Sequence, residues 1–209
     1  NKSHLDALTH KYGYKVENEN TKLLTGSTRE ILPFDDELAL KRCARQDFNI
    51  ITVGRFSFPH KAYLIGLIKS YGVLKEKYKQ LKLTIIGYGP DEDKVIEEIE
   101  KLSVAAKNDV HYVGKVPYDD LRRYFEDANL NIGVAGTIAD GAVTGLISIP
   151  VRHYSEVCEG YGYLPESRKY TTSSEPGRSI EELIEEVINM DKEKYLELSG
   201  KAYKTFSNV

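Results

Sequence analysis

From residue 48 onward, short apolar runs alternate with longer segments that have helical periodicity. The apolar runs predict strands over 50–54, 81–87, 110–114, 130–136 and 147–151. The segments between them predict helices over 62–78, 91–102, 118–128 and 137–145. One or two closing helices are expected in 179–206, where Ser179 would be the N-cap and Glu182 would complete a capping box. This alternation predicts an α/β fold, namely a Rossmann-like three-layer domain with a parallel sheet and helices on both faces.

The first 47 residues do not share this rhythm. We expect a helix in 4–13, a short strand in 21–26 and a connecting segment in 29–47. The predicted division is residues 1–47 as the end of a preceding domain plus a linker, and residues 48–209 as one nucleotide-binding domain with closing helices. The sequence begins with Asn rather than Met, which suggests a fragment of a longer protein.

Composition narrows the class of protein and the nature of its ligands. Apolar residues make up 41% of the chain and charged residues 29%, which is typical of a globular protein. A formal charge of −3 provides no general attraction to nucleic acid or to an anionic membrane, so an anion site would have to be local. The two cysteines, Cys43 and Cys158, form neither a disulfide framework nor a metal-ligand spacing. A reducing, cytoplasmic setting is therefore expected, and no metal site is predicted.

Glycines stand at the carboxyl ends of four predicted strands. They are Gly54, Gly87 with Gly89, Gly114, and Gly136. Each glycine alone is explained equally well by a turn that needs a positive φ angle. Because the carboxyl ends of parallel strands share one edge, four such glycines would leave the backbone open where ligands of these folds bind.

Two cations lie at the same edge. Arg55 directly follows Gly54, and Lys61 comes at the start of the next helical pattern. A cation near a helix N-terminus opposes the helix dipole, so it needs a compensating anion or another role. The simple alternative is a pair of solvated surface cations. A diphosphate held by Arg55 and Lys61 is the interpretation that we favour.

A second group of candidates surrounds the fourth strand end. Gly136 and Thr137 precede a helix, whose free backbone amides would favour an anion. Asp140 lies one turn into that helix and would accept hydrogen bonds from ribose hydroxyls, or would be an ordinary first-turn acid. The loop 151–167, which contains His153, would either line a site or cover the sheet edge.

Several other motifs are absent. The run G-Y-G-P-D-E at 87–92 lacks the third glycine of the dinucleotide fingerprint, and no P-loop sequence occurs. There is no G-x-S-x-G elbow, and the histidines have no zinc-ligand spacing.

In their order and spacing, the runs V-G-R-F-S-F-P-H-K, T-I-I-G-Y-G-P and V-H-Y-V-G-K-V resemble the carboxyl-terminal domain of the retaining group 1 glycosyltransferases with a GT-B fold. The resemblance covers roughly residues 48–190. In that family an arginine and a lysine clamp the diphosphate of a sugar nucleotide, which implies this role for Arg55 and Lys61. The segment after the third strand cradles the base, which implies Gly114, Lys115 and Val116.

The ribose-binding acid of that family is best matched by Asp140, and the chain departs from the family pattern nearby. The family loop E-G-F-x-x-x-x-E begins with a glutamate near the donor sugar, whereas this chain has a shorter loop and Ile132 eight residues before Asp140. Ala62 stands where the family has the glycine that follows its lysine. Contacts with the donor sugar are therefore not transferred, and the chain is expected to belong to a divergent subgroup.

The resemblance implies a hexosyl-type transferase that uses a nucleoside diphosphate sugar of the UDP or GDP type and needs no metal or other cofactor. A missing amino-terminal domain would bind the acceptor, so the isolated chain is expected to be inactive. The implied setting is surface polysaccharide synthesis in the cytoplasm, with peripheral contact at the inner membrane face left open. Two alternatives remain, a sugar-nucleotide epimerase of the same architecture and a degenerate, non-catalytic domain for nucleotide binding or packing.

Overall fold

The computed structural model describes residues 31–165 and 176–207, all of which belong to one compact unit. The helices are α1 Asp36–Ala44, α2 Tyr63–Lys77, α3 Glu92–Glu100, α4 Val104–Asn108, α5 Leu121–Glu126, α6 Gly136–Ala142, α7 Ile180–Ile188 and α8 Lys192–Ser207. The strands are β1 Phe48–Arg55, β2 Leu81–Tyr88, β3 Val110–Gly114, β4 Leu130–Gly133, β5 Ser148–Pro150, β6 Glu159–Gly160 and β7 Arg178–Ser179. A 3₁₀ turn covers Tyr118–Asp120.

Five strands form the central sheet in the order β3-β2-β1-β4-β5, and every neighbouring pair is parallel. The predicted α/β class with a parallel sheet is therefore confirmed. Strand β4 ends at Gly133, earlier than the pattern predicted, and helix α4 was not predicted. Strands β6 and β7 form a separate antiparallel pair.

Apolar side chains alternate between the two faces of the sheet. Ile50 belongs to a large core cluster that includes side chains of α2, α3, α7 and α8, whereas its neighbour Ile51 belongs to a second cluster with Phe125 of α5. Successive residues of a strand point to opposite faces, so burial on both faces requires a continuous apolar run. This arrangement explains why most positions of the strands are apolar, with only a few small polar residues such as Thr52 and Asn131 buried among them, and it confirms the three layers.

The strands β1 and β4 separate toward their carboxyl ends. They pair only through Ile50 with Leu130 and Ile51 with Asn131, whereas β1 pairs with β2 all the way to Arg55. Beyond this point β4 pairs with β5 on its other side, up to Gly133. The strand order also reverses between β1 and β4, and such a switch point opens a crevice at the carboxyl edge of the sheet.

Helix α1 lies in the segment that the sequence predicted to be only a connection. Its Arg42 is buried, and the guanidinium donates hydrogen bonds to the carbonyl oxygens of Thr144 at 2.8 Å and Phe125 at 2.9 Å. Residues 36–44 are therefore a helix anchored to the sheet domain, which corrects the expectation for this segment. The helix and strand predicted in 1–30 lie outside the described residues.

The N-cap of α7 is the predicted residue, but it does not make the predicted hydrogen bonds. Ser179 is the N-cap as expected, but its side chain makes no capping hydrogen bond. Its hydroxyl instead donates to the carboxylate of Glu181 at 2.6 Å, and that carboxylate also accepts a hydrogen bond from Ser70 at 2.7 Å. The predicted capping box with Glu182 is therefore wrong, because the Ser179 side chain accepts no hydrogen bond from the first turn of α7. Among the described helices, none has the length and apolar character needed to span a membrane.

Candidate functional site

Arg55 and Lys61 lie on either side of the turn that connects β1 to α2. Arg55 is the last residue of β1 and is exposed, and Lys61 lies two residues before α2 and is half-buried. The position of Lys61 at a helix start is thus confirmed. Both residues lie at the carboxyl end of β1, where the strand order places the crevice between β1 and β4.

The turn itself is held by the segment that follows β2. The amide of Phe56 donates to the carbonyl oxygen of Tyr88 at 2.9 Å, and the amide of Phe58 donates to the carboxylate of Asp91 at 2.7 Å. Asp91 also forms an ion pair with Lys94 at 2.7 Å, so its charge is balanced. These contacts fix the backbone between the two cations.

Neither cation has a carboxylate partner among the residues that the structure describes. Across residues 31–165 and 176–207, the side chains of Arg55 and Lys61 form no hydrogen bond and no ion pair. Burial lowers the pKa of Lys61 from 10.5 to about 8. A partly buried ammonium without a counter-ion is unfavourable, and an anion bound beside it would offset the cost.

The predicted site glycines Gly87 and Gly89 have a packing role. A Cβ atom at Gly87, whose φ angle is +155°, would overlap the carbonyl oxygen of Gly54, and one at Gly89 would overlap the backbone of Phe56. Close contact between the ends of β1 and β2 is therefore sufficient to require glycine at both positions. Their predicted contact with a ligand stays a prediction.

Gly54 differs from these two because a Cβ atom there would meet only open space and the hydroxyl of Tyr63, at 3.9 Å. A Cβ at Gly133, at the end of β4, would lie 3.8 Å from the same hydroxyl. The fully buried Tyr63 thus reaches beneath the crevice from the start of α2. Glycine at 54 leaves room above this floor for a group that approaches the backbone.

The predicted base-binding segment lies at the end of β3. Gly114 has a φ angle of +74°, which accounts for glycine at this position. Lys115 is exposed and its Nζ atom lies 5.0 Å from the centre of the Tyr88 ring. Val116 packs against the second core cluster, so a base would meet the backbone of this residue rather than its side chain.

The segment between β4 and α6 carries the remaining predicted residues. Ala135, just before α6, has a φ angle of +53°, a strained value for a residue other than glycine. Gly136 is the first residue of α6, and the hydroxyl of Thr137 donates to the carbonyl oxygen of Val134 at 3.1 Å. The hydroxyl of Thr137 is therefore engaged within the turn.

Asp140 is half-buried on α6 and accepts a hydrogen bond from the hydroxyl of Tyr118 at 3.0 Å. Tyr118 follows β3, so this contact connects the predicted ribose acid with the predicted base segment. Ile132 is completely buried in the first core cluster. In this chain the position eight residues before Asp140 therefore serves the core and could not hold a carboxylate near a donor sugar.

A pair of histidines near Lys61 was not predicted as part of the site. Nδ1 of His153 lies 2.8 Å from Nε2 of His60, although the two residues are 93 positions apart in sequence. His153 follows β5 and is buried. The exposed Tyr154 packs against His60 with the ring centres 5.0 Å apart and the ring planes tilted by 46°, and it has a φ angle of +56°. No local pattern could have indicated this contact.

Residues 41–133 match the family model described as glycosyl transferases group 1. A search of curated proteins found no match.

Solved structures share the fold at low sequence identity. The C-terminal domain of a glycosyl transferase group 1 family protein (LpcC) from Francisella tularensis superposes with a TM-score of 0.59 at 15% identity, covering 83% of this chain and 91% of that chain. A chain of the GtfA/B complex superposes with a TM-score of 0.57 at 18% identity, and the match covers 78% of this chain and 33% of that chain. Trehalose-6-phosphate synthase OtsA superposes with a TM-score of 0.58 at 10% identity, and the match covers 84% of this chain and 43% of that chain.

The chain thus spans about a third of the length of the GtfA/B chain that it matches. The family match covers β1 to β4 and includes the turn with both cations. Together with the shared fold, it confirms the resemblance drawn from the sequence, which is to the carboxyl-terminal domain of the GT-B glycosyltransferases of group 1.

Proposed function

We propose that this chain is the donor-binding domain of a hexosyl-type glycosyltransferase, and that it binds a nucleoside diphosphate sugar of the UDP or GDP type. The observation that carries the proposal is the pair Arg55 and Lys61, two cations without a carboxylate partner in the described part of the chain. They flank the turn at the crevice between β1 and β4, where ligands of doubly wound sheets bind. Another solved structure with this fold, described as trehalose-6-phosphate from E. coli, contains bound UDP-2-fluoro glucose, which supports a sugar nucleotide as the ligand.

In the proposed mechanism the two cations act on the leaving diphosphate. Charge accumulates on the diphosphate as the glycosidic bond breaks, and fixed positive groups stabilise that charge most where water is excluded. Arg55 would bind two phosphate oxygens in a fork, and Lys61 would act as a point charge. The backbone at Gly136 and Thr137 would complete the anion site, and no metal would be required.

The remainder of the donor would extend along the sheet edge. The base would lie against the backbone of Gly114, Lys115 and Val116, and Asp140 would accept hydrogen bonds from the ribose. An acceptor would bind to a further domain, so the chain by itself would bind nucleotide without transferring sugar. Surface polysaccharide synthesis at the cytoplasmic face of the membrane is the setting that we propose for the intact enzyme.

The proposal is tested by calorimetric titration of the 209-residue chain with UDP, GDP and ADP. We expect saturable binding of UDP or GDP, and loss of binding in the double variant Arg55→Ala, Lys61→Ala with an unchanged circular dichroism spectrum. The matched control is Lys69→Ala, Lys192→Ala, which removes the same charge from two exposed positions on α2 and α8. The control should bind as the wild type does.

Two results would overturn the assignment. Equal loss of affinity in both double variants would mean that net charge, and not the site, attracts the nucleotide. No binding of any of the three nucleotides would favour a degenerate packing domain. If binding is confirmed, product analysis on the longer protein separates a transferase from an epimerase, because only the epimerase releases a free sugar.

A further inference from the structure

We infer that the His60–His153 pair is a third cationic element of the site, which takes up one shared proton when a diphosphate binds beside Lys61. This inference rests on the proposed function because it assumes that a diphosphate is the ligand. It adds two residues that the sequence did not place at the site. It also assigns a role to the loop after β5.

The pair is held in place from both sides. His60 precedes Lys61 in the turn after β1, and His153 follows β5, so the contact joins segments from two strands that flank β4. The amide of Tyr154 donates to the carbonyl oxygen of His60 at 3.4 Å. Gly66 of α2 lies so close to the loop that a Cβ atom would come within 2.5 Å of the amide nitrogen of Cys158. The loop is therefore packed directly on the helix that follows Lys61.

In the neutral His60–His153 pair, one ring nitrogen is left without a hydrogen-bond partner in the described part of the chain. One proton lies between Nδ1 of His153 and Nε2 of His60, at a separation of 2.8 Å. Nε2 of His153 is buried and has no hydrogen-bond partner in the described part of the chain. Because the His60 ring is only half-buried, the second proton is best placed on its outer nitrogen, which leaves Nε2 of His153 as a bare lone pair.

One additional proton changes which ring nitrogens of the pair carry hydrogen. A singly charged pair has three protons on four nitrogens, so Nε2 of His153 carries a proton wherever the shared proton lies. A buried donor beside Lys61 requires an acceptor, and an anion is the most favourable one. The oxygens of a diphosphate are the acceptors that the proposed site would supply.

The charges around the pair oppose its protonation until an anion arrives. Burial is the largest cause that lowers the pKa of both rings, and the charge of Lys61 lowers both further. For His153, the neighbouring His60 also lowers the pKa, by more than Lys61 does. Other charged groups on the surrounding elements include Arg152 and Glu156 on the loop, Lys69 on α2, and Asp91 with Lys94 at the start of α3. Arg152 is paired with Glu159 at 2.7 Å, and Lys94 with Asp91, so these two cations are balanced. A bound diphosphate would neutralise Lys61 and raise the proton affinity of the pair.

The test is calorimetric titration of the 209-residue chain with UDP-glucose and GDP-mannose in buffers that differ in ionisation enthalpy. Both probes carry diphosphate diesters, which have no proton to gain or lose between pH 5.5 and 8. At pH 6 Lys61 is already charged, since its pKa is about 8, so it contributes almost no uptake. We expect uptake of roughly half a proton for each ligand bound at pH 6, and an affinity about threefold higher at pH 6 than at pH 7.

Histidine variants show whether the proton uptake arises at the His60–His153 pair or elsewhere in the protein. The uptake at pH 6 should vanish in His153→Gln and in His60→Gln, and it should persist in His111→Gln, a matched change at an exposed position on β3. His60→Gln keeps the test decisive if the buried His153 variant fails to fold. Binding with no uptake, or with uptake that His60→Gln retains, overturns this inference and leaves the proposed function standing. No binding of either probe overturns both.

Discussion

The hydroxyl of Tyr118 donates a hydrogen bond to Oδ1 of Asp140 across 3.0 Å. Tyr118 follows β3 at one side of the sheet, and Asp140 belongs to α6 after β4, on the other side of β1. The contact therefore spans the crevice edge and orients the carboxylate that we assign to the ribose. Asp140 was predicted as a site residue, whereas Tyr118 was not.

Removal of the Tyr118 hydroxyl should weaken nucleotide binding without unfolding the domain. We expect Tyr118→Phe to reduce the affinity for UDP by about two- to tenfold, since a typical hydrogen bond contributes about 0.5–1.5 kcal/mol and Tyr118 is exposed to solvent. Titration calorimetry with UDP and with its 2′,3′-dideoxy analogue measures the effect. The analogue should bind both proteins equally, because it lacks the hydroxyls that Asp140 would accept.

A matched control for this change is Tyr78→Phe, which removes a hydroxyl that accepts a hydrogen bond from Asn189 at 3.2 Å, near the far end of α2. It should leave UDP affinity unchanged. If the two variants lose affinity equally, or if the analogue loses as much as UDP, the orienting role of Tyr118 is wrong.

The charge of Lys61 should make nucleotide affinity depend on pH in the alkaline range. Burial lowers its pKa to about 8, so the ammonium loses its proton in the free protein between pH 7 and 9. We expect UDP affinity to fall by about tenfold over this range, since only the charged form attracts the diphosphate. Lys61→Arg keeps its charge at pH 9 and should remove most of the decrease.

Lys61 should also make the stability of the protein depend on pH, but here a higher pH is favourable, whereas it weakens UDP binding. The folded chain binds fewer protons at Lys61 than the unfolded chain between pH 8 and 10.5, so this residue makes the free energy of unfolding rise with pH in that window. Urea denaturation of wild type and Lys61→Gln at pH 7.5 and 9.5 measures it. We expect the stability difference between the two proteins to narrow or reverse at the higher pH, and a difference independent of pH would contradict the burial of this lysine.

Gly66 should be required for the loop after β5 to pack on α2. A Cβ atom at this position would overlap the backbone at Glu156 and Cys158, which cannot move without displacing the loop. We expect Gly66→Ala to lower the free energy of unfolding by about 1–3 kcal/mol, as overpacking against backbone does. Denaturation in urea provides the measurement.

Gly72 in the same helix provides the comparison for Gly66. A Cβ there would approach only the end of the Leu102 side chain, at 2.7 Å, and that side chain can rotate. Alanine is favoured over glycine in a helix by about 1 kcal/mol, so Gly72→Ala should be close to neutral. Similar losses in the two variants would refute the specific contact with the loop.

Arg42 should anchor α1 to the sheet domain. Arg42→Met would leave the carbonyl oxygens of Thr144 and Phe125 without their buried donor, and we expect a loss of about 3 kcal/mol in the free energy of unfolding. Lys41→Met, an exposed change in the same helix, should shift it by less than about 0.5 kcal/mol. A loss below about 1 kcal/mol in the Arg42 variant would mean that α1 is held by other contacts.

Local patterns in the sequence were sufficient to place most strands of the central sheet and the two cations of the site. The apolar runs located β1, β2, β3 and β5 closely, because burial on both faces favours apolar side chains at most positions of a central strand. The same patterns located Arg55 at the end of β1 and Lys61 just before α2. Helix α1 was missed because its stability depends on the distant partners of Arg42 rather than on its own apolar periodicity.

Only the tertiary structure decided how these elements meet. The strand order, with β4 beside β1, creates the crevice, and no residue within β1 or β4 indicates which strand will be its neighbour. The contacts of His60 with His153 and of Tyr118 with Asp140 depend on that order, since they join segments that follow different strands. Periodicity reports which side of an element is buried, because it reflects interactions within a few residues. Side chains 93 positions apart come together only when the whole sheet has assembled.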